Sequence, residues 1–414
     1  MDKQDDKQEH VIPKLRFPEF QTTLGWDKSI LLKICSITNG KANAQDHIEN
    51  GKYPLFDRSE VIKSSNNYLF DCEVVIIPGE GMRFTPKYYK GKFNLHQRAY
   101  ALKDFTINGK FVYYSMDNNS NLLLKKAVQS TVLSLRLPIL HNFQIVIPRD
   151  IKEQQKIADC LSSIDDLIEL QEQKLAALKQ HKKGLMQQLF PSQNDLQASK
   201  QASKQASKQA SKQIVYPKLR FPQFKDCKGW EIVELEELFD LTIQNEKANS
   251  FDKDKIITVK LHTLGVVKNE RTDTLTGGAN YFHRKAGDFI FSKIDFLNGA
   301  FGIVPNELDG FCSSSDIPSF SFKPESNANF FMYWLKANYL DLKIERAGTS
   351  NTLKRISPKA LFAMQLPIPL PEEQQAIADC LLSLDKLINE ENEQIGRLKD
   401  HKKGLMQQLF PKMQ

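Results

Sequence analysis

The sequence predicts an α+β protein in which two globular domains of mixed α and β structure are joined by two long helices. These helices are predicted to form an antiparallel coiled coil within a pseudo-two-fold internal repeat. Three observations predict this fold: framework motifs occur twice in the 414 residues, two proline-free stretches have heptad spacing, and the remaining segments mix short β-rich runs with Gly, Pro and Asn. A chain of this length also suits two or more domains, each with its own core.

Composition narrows the class of protein. Hydrophobic residues make up 41% of the chain and charged residues 26%, a globular balance, and apolar runs such as 74–77 are strand-sized. The polar N-terminus lacks the apolar region of a secretory signal, so we expect a cytoplasmic protein that does not enter a membrane. The six cysteines form no C-x-x-C pair and are expected to be reduced packing residues with no metal. The net charge of +7 permits a polyanionic partner.

The internal repeat consists of short motifs that are each present twice. They are P-K-L-R-F-P at 13–18 and 217–222, G-W at 25–26 and 229–230, E-Q-Q at 153–155 and 373–375, I-A-D-C-L at 157–161 and 377–381, and H-K-K-G-L-M-Q-Q-L-F-P at 181–191 and 401–411. Between them, residues 27–150 and 231–370 show no alignment. The framework is therefore duplicated while the inserts differ, as expected for two modules that bind different things. An old duplication that simply drifted is the alternative.

Each copy also contains a long stretch with a heptad seam. Residues 153–190 contain no Pro and only Gly184, and their apolar positions step by four and three. The predicted pairing residues are Ile157, Leu161, Ile164, Ile168, Leu175, Leu178, Leu185 and Leu189 in the first helix, and Ile377, Leu381, Leu384, Ile388, Ile395, Leu398, Leu405 and Leu409 in the second.

Polar residues interrupt both seams at matching positions. Gln171 and Lys182 interrupt the first, and Glu391 and Lys402 interrupt the second. Because polar seam residues fix register and partner choice, the two helices are predicted to pair with each other. The alternative is that each helix packs on its own domain.

These signals divide the chain into five segments. They are a first domain at 1–150, a long helix at 151–190, a linker at 191–216, a second domain at 217–371 and a second long helix at 372–414. The linker contains Q-A-S-K four times, at 197–212. This array suits either a solvated helix or a flexible linker, and it either adjusts the distance between the domains or is an inert spacer.

In combination, these motifs resemble the specificity subunit of type I restriction-modification systems, over nearly the whole chain. The resemblance implies two target-recognition domains, each of which reads one half of a bipartite double-stranded DNA target. The tetrad array lies where family members keep the short repeats that set half-site spacing. The first copy departs from the family pattern at 148–151, where P-R-D-I replaces the fuller proline run of 366–371. The start of the first helix therefore stays open.

The resemblance also implies partners. Two modification subunits, which are methyltransferases, would bind the long helices, and restriction subunits that translocate and cut DNA would join the complex. S-adenosylmethionine, ATP and magnesium would bind to those partners, and no cofactor is expected on this chain.

No catalytic pattern occurs in the sequence. The chain lacks the N/D-P-P-Y/F motif and glycine-rich loop of an amino-methyltransferase, and it lacks a phosphate-binding P-loop. Short carboxylate-lysine strings at 150–152 and 252–255 are too common to predict a nuclease. We therefore predict a non-catalytic subunit. The alternative is a coiled-coil interaction scaffold whose globular domains bind proteins.

Two acid-free stretches are the predicted DNA contacts. Residues 81–103 interleave basic with aromatic residues, and residues 346–371 begin with small polar residues bracketed by arginines. Such stretches suit loops that face phosphates and offer hydrogen bonds to base edges. The predicted contacts are Arg83, Lys87, Tyr88, Lys90, Lys92, Asn94, Gln97 and Arg98 in the first domain, and Lys293, Arg346, Ser350, Asn351, Lys354 and Arg355 in the second. For the first stretch, the alternative is a solvated hairpin with buried rings.

Overall fold

The computed structural model describes residues 11–129, 132–205, 213–243, 246–248, 252–271, 280–347 and 354–412. The chain divides into two compact units. Unit 1 contains Met1–Lys174 and Glu391–Gln414, and unit 2 contains Leu175–Glu390. Each unit therefore combines one globular domain with the first part of the helix that follows it and the last part of the other long helix.

Two long helices of 39 residues each form the repeated framework: α4 spans Ile151–Leu189 and α8 spans Pro371–Leu409. The start of α4 is fixed by Asp150, whose carboxylate accepts a hydrogen bond from the backbone N–H of Lys152 at 2.8 Å. In α8 the first residue is a proline, which needs no hydrogen-bond partner at that position. In both helices the predicted seam residues are buried or half-buried, and most of the positions between them are exposed.

Within each unit the two helices pair antiparallel. In unit 1, Asp165 of α4 pairs with Lys402 of α8, and Lys174 pairs with Glu391, both at 2.6 Å. The residue number rises along α4 as it falls along α8, which defines an antiparallel pair. In unit 2, Lys182 pairs with Asp385 at 2.5 Å. The predicted α+β fold with an antiparallel helix pair is confirmed, and polar residues that interrupt the seams form these ion pairs.

The first globular domain contains a six-stranded sheet in the order β2-β7-β5-β6-β3-β4. Its strands are β2 (Ser36–Asn39), β3 (Tyr53–Phe56), β4 (Lys63–Ser65), β5 (Phe70–Pro78), β6 (Lys87–Leu95) and β7 (Ala99–Lys103). Strands β3 and β6 are parallel, and the other neighbours are antiparallel. The buried run 74–77 lies in the middle of the sheet, where β5 pairs with both β6 and β7. The apolar run identified in the sequence is thus the central strand.

A two-stranded sheet closes this domain beside the long helix. Strand β1 (Asp27–Ile30) pairs antiparallel with β8 (Gln144–Ile147), and α4 begins shortly after β8. The chain therefore enters and leaves the domain at one place. The helices of the domain are α1 (Gly109–Asn118), α2 (Ser120–Lys126) and α3 (Leu137–His141). The main core of unit 1 contains Trp26 and Phe111 together with Phe410, which follows the end of α8.

The second globular domain is built from shorter strands in several small sheets. Strands β10 (Trp230–Glu234) and β20 (Gln365–Ile368) pair as β1 and β8 do, with β9 (Ile214–Val215) beside β10. The other strands are β11 (Ile257–Val259), β12 (Val266–Lys268), β13 (Tyr281–His283), β14 (Phe289–Phe291), β15 (Phe301–Ile303), β16 (Cys312–Ser314), β17 (Ser319–Phe320), β18 (Arg346–Ala347) and β19 (Arg355–Ile356). Its helices are α5 (Gln193–Gln205), α6 (Ala328–Asn338) and α7 (Pro358–Phe362). Helix α5 includes the first residues of the tetrad array, and residues 206–212 lie outside the described part.

The repeated motifs meet at one junction in each unit. In unit 1, Arg16 of P-K-L-R-F-P donates two hydrogen bonds of 2.7 Å to the carboxylate of Glu153 at the start of α4. The neighbouring Leu15 donates its backbone N–H to the carbonyl of Gln408 near the end of α8, at 3.0 Å. One short segment thereby connects the beginning of one helix to the end of the other.

The unit 2 junction has the same construction. Arg220 donates to Glu373 at 2.8 and 2.7 Å, and Leu219 N–H donates to the Gln188 carbonyl at 2.9 Å. In both pairs the arginine side chain is at most 7% exposed and the glutamate side chain 1% exposed. A buried charge needs such a partner, which explains why these motif residues occur together.

A second repeated feature attaches each globular domain to its long helix. Asn108 caps α1 and donates its amide to Gln155 at 2.7 Å, and Asn327 caps α6 and donates to Gln375 at 2.9 Å. The two segments share the pattern N-x-x-F-x-x-Y-x-x-x-x-N, at 108–119 and 327–338. This repeat lies inside the divergent inserts and is hard to recognise from the sequence, because only four of its twelve positions are fixed.

The shared tyrosine completes a triad with the paired helices. Tyr114 donates its hydroxyl to Asp165 at 2.7 Å, and Lys402 binds the same carboxylate while its ammonium lies 5.2 Å from the Tyr114 ring centroid. In unit 2, Tyr333, Asp385 and Lys182 form the same arrangement, with a hydroxyl–carboxylate distance of 2.6 Å. Each triad joins a globular domain to both long helices, and burial raises the pKa of both tyrosines.

Candidate nucleic-acid interface

In unit 1, the predicted residues Gln97 and Arg98 lie on a turn that is hydrogen-bonded to the turn at residues 79–80. Arg98 donates to Glu80 at 2.8 Å, and its backbone carbonyl accepts from the N–H of Gly79 at 2.8 Å. Gln97 donates its amide to Asn43 at 2.8 Å. Arg83 is exposed three residues after Glu80. We call Asn43, Glu80, Arg83, Gln97 and Arg98 the unit 1 turn cluster.

The turn cluster has the chemistry needed to read a base edge. The Arg98 side chain is 62% exposed, yet the 22% exposed Glu80 carboxylate holds it in place. A guanidinium held by a carboxylate keeps further N–H donors free for a second acceptor. Gln97 offers both a donor and an acceptor, as recognition of adenine requires.

Two of the predicted residues, Lys90 and Lys92, are lysines on β6 and differ in chemistry from the turn cluster. Lys90 and Lys92 are exposed, and they pair in register with Glu73 and Asp71 of β5. The Lys92 ammonium lies 4.9 Å from the centroid of the Tyr68 ring. As flexible point charges, these lysines suit phosphates better than base edges.

Three other predicted residues of the first domain have partners inside the domain. Lys87 donates to the carbonyl of Ser59, and burial lowers its pKa. Tyr88 donates to Glu73 at 2.8 Å, and burial is the main cause that raises its pKa. Asn94 accepts from the N–H of Leu95 at 2.9 Å. These three side chains therefore have partners within the domain, and the rings of Phe84 and Phe93 in the same stretch are buried.

In unit 2, the structure brings Lys293 and Arg355 together. Arg355 donates two hydrogen bonds of 2.9 Å to Asp316, and this guanidinium is the main cause that lowers the pKa of the Asp316 carboxyl. The backbone N–H of Lys293 donates to the backbone carbonyl of Asp316 at 2.9 Å, and the Lys293 carbonyl accepts from the N–H of Ile356 at 2.8 Å. Lys293, Asp316 and Arg355, with the exposed Arg346 and Lys354, form what we call the unit 2 hairpin cluster.

The hairpin of β18 and β19 carries most of this cluster. Arg346 lies opposite Ile356, and Ala347 lies opposite Arg355. The predicted contacts Ser350 and Asn351 lie outside the described residues. Arg284 of the same domain is only 2% exposed and donates to Ser313 at 2.7 Å. Its guanidinium belongs to the domain interior, and burial lowers its pKa to about 10.

Sequence reasoning missed the acids and amides that orient the predicted arginines. Glu80 and Asp316 lie outside the acid-free stretches, and each pairs with an arginine of its cluster. Asn43 is far in sequence from Gln97, so only the fold brings them together. Across the part of the chain that the structure describes, no three His, Cys, Asp or Glu side chains are grouped to hold a metal ion. Nor does any helix there have the length and apolar character to cross a membrane.

A family model described as the type I restriction modification DNA specificity domain matches residues 24–180 and 227–397. The two matches cover most of the chain. The chain belongs to this family. Each copy of the specificity domain includes one globular domain and much of the long helix after it, so the repeat seen in the sequence is a repeat of the whole domain.

Two curated proteins similar to this chain are specificity subunits of type I restriction enzymes. The EcoDI specificity subunit of Escherichia coli is 22% identical over 366 residues, which cover 85% of this chain and 80% of that protein. The MjaVIII specificity subunit of Methanocaldococcus jannaschii is 23% identical over 319 residues, covering 74% of this chain and 71% of that protein. The resemblance stated from the motifs is confirmed.

A solved structure has the same fold. The S subunit of a type I restriction-modification system from M. genitalium aligns over 98% of this chain and all of its own length, with a TM-score of 0.62 and 15% identity. With the family established, the chain is a non-catalytic DNA specificity subunit that carries two recognition domains for a bipartite target.

Proposed function

We propose that the first domain reads its half-site through the unit 1 turn cluster and the second through the unit 2 hairpin cluster. One observation carries this proposal. In both domains a carboxylate holds an arginine whose side chain is partly exposed: Glu80 holds Arg98, which is 62% exposed, and Asp316 holds Arg355, which is 42% exposed. Because the guanidinium is held before binding, less side-chain freedom is lost when it meets a base.

The lysines have a separate role in this proposal. Lys90 and Lys92 in the first domain and Lys354 in the second are exposed, and they would neutralise phosphates on either side of the bases that are read. Phosphate contacts supply much of the affinity and make it depend on salt, whereas base contacts determine the choice of sequence.

We further propose that the long helices dock the modification subunits. Both helices carry exposed leucines. Large apolar side chains that are exposed on a helix surface suit a protein interface. The leucines are Leu167 and Leu170 of α4 and Leu382 and Leu387 of α8. Two modification subunits would bind there and restriction subunits would join them. S-adenosylmethionine, ATP and magnesium would bind to these partners.

The test measures duplex binding by the chain assembled with its modification partner. The target is first obtained by mapping methylated adenines in the host with and without this gene. Arg98→Ala is expected to weaken binding to the target by about 1–3 kcal/mol and to relax the choice of bases in one half-site only. Lys90→Ala should weaken binding to every duplex alike and reduce the slope of log affinity against log salt by about one.

Lys33→Ala is the matched control, because Lys33 is an exposed lysine of the same domain outside the turn cluster. It should change neither affinity nor base choice. Equal binding by Arg98→Ala and the unmodified complex, on target and scrambled duplex, would overturn the assignment of the turn cluster and favour a protein-binding role for this domain.

A further inference from the structure

We infer that the turn between β11 and β12, residues 260–265, is a second base-reading element of the second domain, with His262 as its specificity-determining residue. This inference rests on the proposed function of that domain. The turn was not among the predicted contacts. Its backbone conformation, its exposure and its charge each support the assignment.

The backbone of this turn is strained. His262 has φ 56° and Thr263 has φ 60°, a left-handed conformation that residues with a side chain rarely adopt. Among the described residues, the other non-glycine positions with positive φ are Asn50 and Asp104, whose short polar side chains tolerate it. Leu264 N–H donates to the Leu261 carbonyl at 3.2 Å, so His262 and Thr263 are the central residues of a two-residue hairpin turn, which requires positive φ at both positions. Histidine tolerates this conformation, whereas a β-branched residue such as Thr263 adopts it only under strain, and strained positions cluster at functional sites.

A neighbouring loop holds the turn rigidly. The N–H groups of His262 and Thr263 donate to the carbonyls of Asn298 and Gly299 at 2.8 and 2.9 Å, and Lys260 N–H donates to the Gly265 carbonyl at 2.8 Å. A Cβ at Gly299 would lie 2.9 Å from the Thr263 nitrogen and 3.1 Å from the His262 Cα. Glycine at 299 therefore permits the two loops to pack backbone against backbone.

The side chains of this rigid turn face solvent. His262 is exposed, and Leu261 and Leu264 flank it with 41% and 72% of their surfaces exposed. An imidazole that donates and accepts, next to an exposed leucine, is suited to a base edge and a thymine methyl group.

The charge around the turn favours nucleic acid as the occupant. Residues 255–269 contain no Asp or Glu and include three lysines. Lys268 lies 3.8 Å from the Asp254 carboxylate, so Lys255 and Lys260 supply the positive charge next to the turn. The loop that holds the turn, through Asn298, follows Lys293 of the unit 2 hairpin cluster within a few residues. The turn is thus hydrogen-bonded to the loop that follows a residue of the unit 2 hairpin cluster.

Substitution by glycine separates a reading role from a structural one, because the two roles predict opposite results. His262→Gly relieves the strain, so it should leave the melting temperature unchanged or raise it. It also removes the imidazole, so discrimination in the half-site of the second domain should fall by roughly 5- to 150-fold, the range expected for one base contact. The other half-site and the spacer should not change.

The measurement is duplex binding by the complex with its modification partner, on a library with single-base changes in each half-site. Asp104→Gly is the matched control, since it removes a positive-φ side chain from the first domain. Unchanged discrimination by His262→Gly, with weakened binding by Lys354→Ala, would overturn this inference and leave the proposed function standing. If Lys354→Ala and Arg355→Ala also bind normally, the proposed function of the domain fails with it.

Discussion

The two junctions share their arginine–glutamate ion pair and differ at the repeated tryptophan beside it. Arg16–Glu153 and Arg220–Glu373 match in distance and burial. The indole N–H of Trp26 donates to Glu153 at 3.1 Å, whereas that of Trp230 is buried with no hydrogen-bond partner among the described residues. The same ion pair is thus more fully satisfied in unit 1 than in unit 2.

The triads differ in charge as well. One turn after the triad tyrosine, unit 1 has Asp117 and unit 2 has Lys336. Burial is the main cause that raises the pKa of Asp117 and lowers the pKa of Lys336. The charges of Lys402 and Asp165 also act on the pKa of Asp117, and those of Lys182 and Asp385 act on the pKa of Lys336. Lys402 therefore has two carboxylates near it, while Lys182 shares one carboxylate with a second lysine. The two triads keep the same geometry although the neighbouring residue has opposite charge, because the lysine and the carboxylate of each triad remain paired.

The largest effect is expected at the buried ion pairs. Glu153→Ala and Glu373→Ala should each destabilise their own unit by about 3–5 kcal/mol, because the arginine is left as an unpaired buried charge. Glu153→Ala should cost roughly 1 kcal/mol more, since it also removes the partner of Trp26. Hydrogen exchange at the amides of Leu15 and Leu219 reports the two units separately.

Glu19→Ala serves as the control, because the Glu19 carboxylate contacts Lys156 at 3.3 Å on the surface and should leave exchange at both amides unchanged. Equal losses of stability in the two units would show that the hydrogen bond from Trp26 to Glu153 does not stabilise unit 1 measurably.

Substitution of the triad lysines is expected to reduce stability less than loss of the buried ion pairs, but to differ more between the two units. Lys402→Met leaves Asp165 and Asp117 without their cation, whereas Lys182→Met leaves Asp385 beside Lys336. We expect a loss of roughly 1–3 kcal/mol in unit 1 and less than about 1 kcal/mol in unit 2. Hydrogen exchange in α1 and α6 measures the two responses. The electrostatic account of the triads fails if the order is reversed.

The smallest effect is expected at Asp117 and Lys336, and it depends on pH. The folded pKa of Asp117 is raised, so the folded unit loses stability as pH rises through that pKa, and Asp117→Asn should stabilise unit 1 at pH 8 but not at pH 4. The folded pKa of Lys336 is lowered from 10.5, so its cost is present at neutral pH and fades as pH rises toward 10.5.

Lys336→Met should therefore stabilise unit 2 near pH 7 by on the order of 1 kcal/mol, and this gain should shrink at higher pH. Urea unfolding of the two variants at several pH values checks both signs. A gain for Asp117→Asn that is constant with pH would mean that the carboxylate is not the cause.

Much of the framework could be predicted because it rests on local patterns. The heptad spacing of Ile157, Leu161 and their equivalents is a property of one helix, and burial in the structure follows it residue by residue. The interface was harder to predict, since Lys293 and Arg355 are far apart in sequence and are brought together by the contacts of Lys293 with Asp316 and Ile356. The turn at His262 gave one usable signal, its lack of acids, but its strain is visible only in the backbone.

The sequence by itself determined that this chain is a duplicated framework with two different inserts, because identity and periodicity can be read without knowing any contact. Only the tertiary structure decided what the framework residues do. Arg16 needs Glu153, Tyr114 needs Asp165 and Lys402, and none of these partners is a sequence neighbour. A buried charge is satisfied by whichever group the fold brings to it, and that choice is made by packing rather than by local preference.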